Sequence, residues 1–545
     1  MRRLADCLLD DAALRRIIGA PDAGRCPAVI SGLAQIHRAH LLSAMRAALG
    51  RPIVLLVSDE LEARRAAGDI EALTGVSPTE LPPRDFVFRD MEGVSRSFEH
   101  RRLRALHLIG LEVAGGNLRR REDGEDEGNR DLNPPIVVAA VAAFMQRTLP
   151  RSVLLDAAAS LALGEAHDLD ALCARLTDAG YARAETVEGC GQFARRGGIL
   201  DFFSPAHEYP IRAEFFGDEI DSLSYFDPVT QRRGENCDRA YLLPAAETVF
   251  SLGDGGSDAM LAKLETLAEA KHGARGVRLR AHYAADLERL RSGRSFPAAD
   301  KYMELLYPMA TALDYLPEGT IVLVSEPNRV REAAARYEKL LGDECVTLLE
   351  AGALESSLVR FCLGAEPFFS ALERFPVIMA DAFTASSYPL TPRSLESVLT
   401  KQLPSYGGSL ETAAGDVAHY GATGFRTVIA VSNRRRADAL EAYLSERGVR
   451  AALDYELERL PEPGTCVVCL GTLSAGMEYP GLKLAVLTEG QFAEHETGRA
   501  RKSKAHAKTN RERVQSFTDL SPGDLVVHEQ YGVGRYLGLF TLTTD

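Results

Sequence analysis

The stretch Gly180–Gln231, GYARAETVEGCGQFARRGGILDFFSPAHEYPIRAEFFGDEIDSLSYFDPVTQ, decides how the middle of this chain is built. Phe193 to Phe203 and Pro210 to Phe226 are rich in β-branched and aromatic residues, which favour strands. Gly197-Gly198, Ser204-Pro205 and Gly217-Asp218 punctuate them with turn chemistry. Ile211, Ala213 and Phe215 alternate with Arg212, Glu214 and Phe216, the period of two expected of a half-buried antiparallel strand. Arg183, Arg195 and Arg196 fall at the edges of this predicted sheet, where folding alone does not call for three guanidinium groups. No catalytic constellation accompanies them. The block reads as a docking module.

On the N-terminal side, helices and apolar strands alternate. Ala28 to Gly32 starts a strand, Ile36 to Gly50 a helix, Pro52 to Ser58 a strand, Glu60 to Thr74 a helix, and Pro135 to Val141 another strand. This βαβ rhythm predicts a doubly wound parallel sheet. The N-terminus, MRRLADCLLDDAALRRII, reads as one amphipathic helix rather than a signal peptide. Gly115 to Pro134 is polar, charged and glycine-rich, and reads as a solvated loop. After the docking block, opened by an amphipathic helix near Leu169 to Ala179, helical periodicity runs from Asp258 to Arg291. Apolar strands follow at Thr320 to Ser325 and within Leu372 to Asp381. The economical arrangement is one α/β sheet, interrupted by the docking module and completed after it.

A further small α/β unit is predicted over 395–490, from the strands Thr427–Val431, Val449–Ala452, Thr465–Leu470 and Leu482–Thr488 and the helix Arg434–Arg447. A polar, basic linker spans 491–516. The last residues, 517–545, have the short-strand and turn grammar of the start of a small β-barrel.

Composition bounds the function classes. With 545 residues the chain is too long for one core, and roughly three to four domains are expected. A net charge of −14 argues against the chain as a whole wrapping nucleic acid, so the basic linker is judged alone and reads as solvated, with contact to DNA phosphates as the alternative. The absence of Trp removes the commonest stacking platform for single strands. No apolar run approaches the roughly 20 residues that span a bilayer, so no membrane partner is expected. Nine scattered cysteines read as reduced and cytoplasmic. Cys466 and Cys469 form one CxxC inside an apolar strand with no second pair, which reads as core. The histidines show no ligand spacing, and no metal is expected.

A phosphate loop at the first βα turn needs close-packed glycines, a lysine for the phosphates and a hydroxyl for Mg²⁺. The segment here is Gly32-Leu33-Ala34-Gln35-Ile36-His37-Arg38-Ala39. Gly32 keeps the first position, but His37, Arg38 and Ala39 stand where glycine, lysine and hydroxyl belong. The loop is degenerate, and no cofactor is expected in this segment.

The phrase R-G-x-[IVL]-[IL]-D-[IVLF]-F-[PS] followed by R-x-E-[LF]-F-[DG]-[DE]-E-[IV]-[DE]-x-[IL]-x-x-F-D-P is carried here by Arg196 to Ser204 and Arg212 to Pro228. In this block the chain resembles domain 2 of UvrB and, more closely, the equivalent domain of the bacterial transcription-repair coupling factors. The resemblance implies binding of UvrA through Arg183, Phe193 and Arg196; the residues alone allow equally that these arginines pair with Glu185, Glu188 or Asp201 on the same surface. Ala194 replaces an arginine of UvrB.

Gly523 to Gly538, GDLVVHEQYGVGRYLG, resembles the CarD-like RNA-polymerase-interacting domain. That implies strand-edge pairing with the RNA polymerase β subunit, with Val527, Tyr531, Val533, Arg535 and Tyr536 as the contact set, and only the start of that domain within 517–545. The resemblance also labels the parts: 1–150 a UvrB-like domain 1a with the degenerate loop, 151–240 the UvrA-docking domain 2, and 241–390 a domain 1b completing the core. ATP, Mg²⁺ and most contact with double-stranded DNA are expected of motor domains beyond Asp545. The segment itself is then a cytoplasmic adaptor without catalysis of its own. The rivals are a UvrB-like ATP-dependent damage-recognition subunit, disfavoured by His37-Arg38-Ala39 and by the lack of an aromatic cluster over Arg84 to Leu106, and a CarD-like transcription regulator.

Overall fold

Five strands legible as apolar runs form the middle of one seven-stranded sheet. Its order is Ser394–Ser397, Ala28–Ser31, Val377–Asp381, Ile321–Ser325, Ile53–Val57, Ile136–Ala140, Thr79–Glu80, and every neighbouring pair is parallel. The structure, a computed structural model, describes residues 1–89, 96–114, 135–269, 273–291, 297–492, 525–528 and 532–535. Alternate residues of each central strand enter two different cores. Val29, Val54, Val137, Val322 and Met379 pack on one side, and Ile30, Leu55, Val138, Leu323 and Ala380 on the other. Near-continuous apolar runs follow from this, because a parallel sheet is covered on both faces. Strands 321–325 and 377–381 insert between Ala28–Ser31 and Ile53–Val57, so the sheet is completed by chain that returns after the docking block.

Local chemistry places the flanking helices. Asp59 caps helix Glu60–Thr74 by accepting from Glu62 N at 2.9 Å, and left-handed Gly75 ends it. The N-terminal segment is two helices rather than the single one expected. A 3₁₀ stretch, Arg2–Asp10, gives way to Ala12–Ile18 at Asp11, whose extended backbone and carboxylate cap Ala13 N and Leu14 N. Helices Gly256–Glu269 and Gly273–Arg291 occupy the stretch of helical periodicity.

The docking module leaves the core at Arg151–Ala157 and closes on itself. Its entry strand Ala159–Ala162 pairs antiparallel with its exit strand Arg239–Leu242. Between them lies a six-stranded sheet in the order Arg233–Asn236, Glu219–Phe226, Ile211–Phe216, Ile199–Phe202, Gln192–Arg196, Ala182–Arg183. It is antiparallel except for its last pair, where Ala182–Arg183 runs parallel to Gln192–Arg196. Helix Leu169–Asp178 supplies Leu172 and Leu176 to the core of one face. At the exit, Glu247 is buried beside Arg84 and Arg102, with Glu99 and Asp300 completing a charged knot that ties the module's end to the main sheet's surroundings.

The 395–490 unit differs in two ways from the sequence expectation. Strand Ser394–Ser397 belongs to the first sheet, pairing with Ala28–Ser31. The unit's own sheet, the third large sheet of the chain, gains Lys401–Leu403 and Gly476–Tyr479, and helix Leu410–Ala422 joins the expected elements. Cys466 and Cys469 are buried in its strand Cys466–Leu470, where burial pushes their thiols up to about 12 and about 11. This unit shares a core with the first sheet's helices, since Val428, Met477 and Tyr479 pack with Leu4, Leu41 and Met45.

The described residues before 493 form one compact unit, and the strands Leu525–His528 and Gly532–Arg535 belong to another. Those two strands pair antiparallel, with Val527 opposite Val533. The predicted loop Gly115 to Pro134 and nearly all of the basic linker lie outside the described residues. No described helix is long and apolar enough to cross a membrane.

Candidate docking surfaces and the degenerate loop

The sheet's register decides what Arg183, Arg195 and Arg196 can do. Phe193 stands opposite Phe202, Arg195 opposite Leu200, and Arg196 opposite Ile199. Arg183 is in register with Phe193. Alternation therefore puts Arg183 and Arg195 on the helix side of the sheet and Arg196 on the other. Arg195 pairs with Asp170 of helix Leu169–Asp178, and both Arg183 and Arg195 lie close enough to Cys173 of that helix to act on its thiol. Arg183 is exposed and, among the described residues, has no ion-pair partner.

One expectation needs correction. Phe193 is not a surface contact: it is 1% exposed and packs with Leu200, Phe202 and Ile211, as an aromatic on the covered face of a sheet must. Arg183 and Arg196 lie on opposite faces, because the pleat sends neighbouring registers to opposite sides of the sheet.

On the face away from helix Leu169–Asp178, Arg196 meets Asp201, its Nη2 at 2.5 Å from Oδ2. The same carboxylate accepts from Arg212 through Nε at 2.7 Å and Nη2 at 2.9 Å. Asp201 is fully buried, Arg212 is 17% exposed along its side chain, and Arg196 is 47% exposed. The Arg212 guanidinium also lies over the Phe226 ring at 4.8 Å. Glu214 and Arg233 continue the charged face at 3.6 Å. The alternative reading, that these arginines pair with Glu185, Glu188 or Asp201, holds for Arg196 with Asp201, whereas the meeting of Asp201 with Arg212 was missed. Both stand inside the quoted motif, but their meeting requires Asp201 to lie opposite Arg212 across strands 199–202 and 211–216, a register that an eight-residue connection does not reveal.

The first βα turn is filled by the protein itself. Gly32 has φ +95°, and a Cβ there would lie 1.8 Å from Val398 O. Val398 N donates to Ser31 O, and the Thr400 hydroxyl donates to Gly32 O, so residues 398–400 lie across the loop. Arg38 turns back into the protein. It donates to Leu33 O at 2.9 Å and Ser325 Oγ at 2.5 Å, and it pairs with Glu326, with Glu62 at 3.7 Å. Burial pulls the Arg38 guanidinium down and pushes Glu326 up to about 7, the latter reinforced by Asp381, so desolvation outweighs their mutual attraction.

His37 is fully buried edge-on to Tyr479, their ring centroids 5.0 Å apart. Burial holds its imidazole down at about 3. Ala39 is 1% exposed in the same core. Glu62, Ser325, Glu326 and Asp381 carried no sequence signal, since they come from the first turn of one helix and the ends of two distant strands.

Of the C-terminal set, Val527, Val533 and Arg535 lie in the hairpin strands, whereas Tyr531 and Tyr536 fall outside the described residues. Among the described residues no group of His, Cys, Asp and Glu is arranged to hold a metal ion.

Comparison with known proteins agrees with these boundaries. Residues 159–247, from the module's entry strand to the buried Glu247, match the UvrB interaction domain. Residues 520–545 match the CarD-like/TRCF RID domain. The chain is 27% identical over 540 residues to the transcription-repair-coupling factor of Bacillus subtilis, covering 97% of this chain and 43% of that protein. It is also 27% identical over 404 residues to that of Staphylococcus haemolyticus, covering 72% of this chain and 33% of that protein, and 27% over 394 residues to that of Staphylococcus aureus, covering 70% and 32%. It thus spans less than half the length of these curated relatives. With a UvrB interaction domain in its middle, a CarD-like/TRCF RID segment at residues 520–545 and similarity along almost all of its length, the chain is a homologue of the transcription-repair-coupling factors.

Proposed function

We propose that this chain is the adaptor portion of a factor for transcription-coupled nucleotide-excision repair. Its inserted module docks UvrA, its C-terminal hairpin opens a small β-barrel that engages the RNA polymerase β subunit, and ATP-driven movement along double-stranded DNA belongs to other parts of the full-length protein. The observation that carries this reading is the self-closed module at 159–247. It matches a domain described by its interaction and presents arginines on both faces of an open sheet edge. Arginine suits the role, since its fork binds carboxylates with two bonds and dominates many interfaces.

No nucleotide acts at the first βα turn in this proposal. Arg38 is committed to carboxylates of the protein, and Val398 occupies the space above Gly32. A UvrB-like ATP-dependent subunit is disfavoured for that reason.

The test is binding of purified UvrA to the full chain by biolayer interferometry. Arg183→Ala together with Arg196→Ala is expected to weaken binding by about 2 kcal/mol or more, as loss of an interface hot spot does. Unchanged affinity in the double variant would remove the assignment. For the polymerase, Val533→Asp is expected to abolish capture of the β subunit, because a charge in a pairing strand opposes β-augmentation.

A further inference from the structure

Asp201 is a buried carboxylate with two cations, and the two hold it differently. Arg212 grips both oxygens, is mostly buried and is braced on Phe226. Arg196 touches one oxygen, which Arg212 already shares, and is about half exposed. A buried charge left without a partner is strongly destabilising, whereas an exposed ion pair contributes little. If Arg196 alone neutralised Asp201, a docking partner could take Arg196 only by stranding that carboxylate. With Arg212 in place, Asp201 stays paired when Arg196 leaves.

We infer that Arg212 is a positioning residue for docking: by holding Asp201 with both arms of its guanidinium, it lets Arg196 be handed to a carboxylate on the partner. Asp201 in turn holds the half-exposed Arg196 in place until that exchange. The inference rests on the reading of this module as a UvrA-docking surface, and it adds that the UvrA side chain received here is acidic.

The experiment uses the full chain and purified UvrA, with thermal melting and circular dichroism of each variant as the folding control. Arg196→Ala is expected to weaken binding by about thirtyfold, a hot-spot effect. Arg212→Gln should weaken it by about tenfold or more, although Arg212 need not touch UvrA, because Asp201 then retains Arg196. The double variant D201N/R212Q should return to within about threefold of wild type, since the competing charge is gone. A merely structural role for Arg212 gives no such rescue. Arg212→Lys keeps the charge without the fork and should fall between wild type and Arg212→Gln, and it carries the test if the glutamine variant does not fold.

Wild-type affinity in Arg212→Gln, with Arg196→Ala still weak, overturns the inference and leaves docking intact. Failure of D201N/R212Q to recover also overturns it. Wild-type affinity in Arg196→Ala overturns this inference alone, whereas wild-type affinity in the Arg183→Ala/Arg196→Ala double variant removes the docking reading as well.

Discussion

His37 and Arg38 are consecutive in helix Gln35–Leu49, yet one is buried neutral and the other buried charged. Arg38 is tolerated because Glu62, Ser325 and Glu326 meet its guanidinium, while His37 is tolerated because it can shed its proton. Burial likewise holds His40, His107 and His207 down at about 4. Their folded values lie below the ordinary histidine value, so between about pH 6.5 and about pH 4 the unfolded chain binds protons that the folded chain refuses. Stability should therefore fall as pH drops through that window, by roughly 2 kcal/mol per such histidine at about pH 5. Glu326, raised to about 7, works in the opposite sense, and its contribution is lost as pH rises through that value. Denaturant titrations at about pH 7 and about pH 5 measure the difference, and His37→Leu should narrow it. The sequence showed that His37 and Arg38 spoil a phosphate loop. It did not show which carboxylates Arg38 would find, because Glu62 lies in the following helix and Glu326 lies 288 residues away.

Elements were legible where local pattern and packing agree. Strand Ile53–Val57 and helix Glu60–Thr74 are bounded by turn and cap residues that act within a few positions. The docking hairpin Gln192–Arg196 and Ile199–Phe202 turns at Gly197, whose φ of +62° suits glycine. Leu200 is fully buried in the module's core, so Leu200→Ala is expected to cost about 3 kcal/mol by chemical denaturation. Gly32→Ala should cost about 3 kcal/mol or more, because it combines a left-handed backbone with a collision against Val398 O. Less legible were elements whose partner is remote. Ser394–Ser397 reads as the start of the next unit, but the open edge beside Ala28–Ser31 captures it. Strands Lys401–Leu403 and Gly476–Tyr479 are short, and their pairing alone defines them.

Across the large unit, the third sheet is not an appendage. Tyr479 meets His40 at 3.1 Å, Ser474 holds Asp69 through two hydrogen bonds, and the apolar residues around them form one core with the first sheet's helices. A chain ended after Ser397 should expose that apolar face, seen as loss of solubility or as dye binding in fluorescence. The same connection explains why repairing the motif would not revive the loop. The variant H37G/R38K/A39T restores the phosphate-binding residue types, but residues 398–400, on the way to the third sheet, still cover Gly32. Calorimetry with ATP is expected to show no binding in this variant, and low-micromolar affinity would contradict the proposal.

By itself the sequence determined the kinds of part: a parallel sheet from continuous apolar runs, an inserted module from alternation and turn residues, and a degenerate loop from three substituted positions. These are properties of neighbours in the chain, where periodicity, capping and steric limits act. Only the tertiary structure decided that Phe193 is core, that Arg183 and Arg196 face opposite ways, and that Asp201 is shared by Arg196 and Arg212. Those facts depend on strand register. A shift of one residue exchanges the two faces of a sheet, and the register is set by packing across the whole module rather than by any local residue.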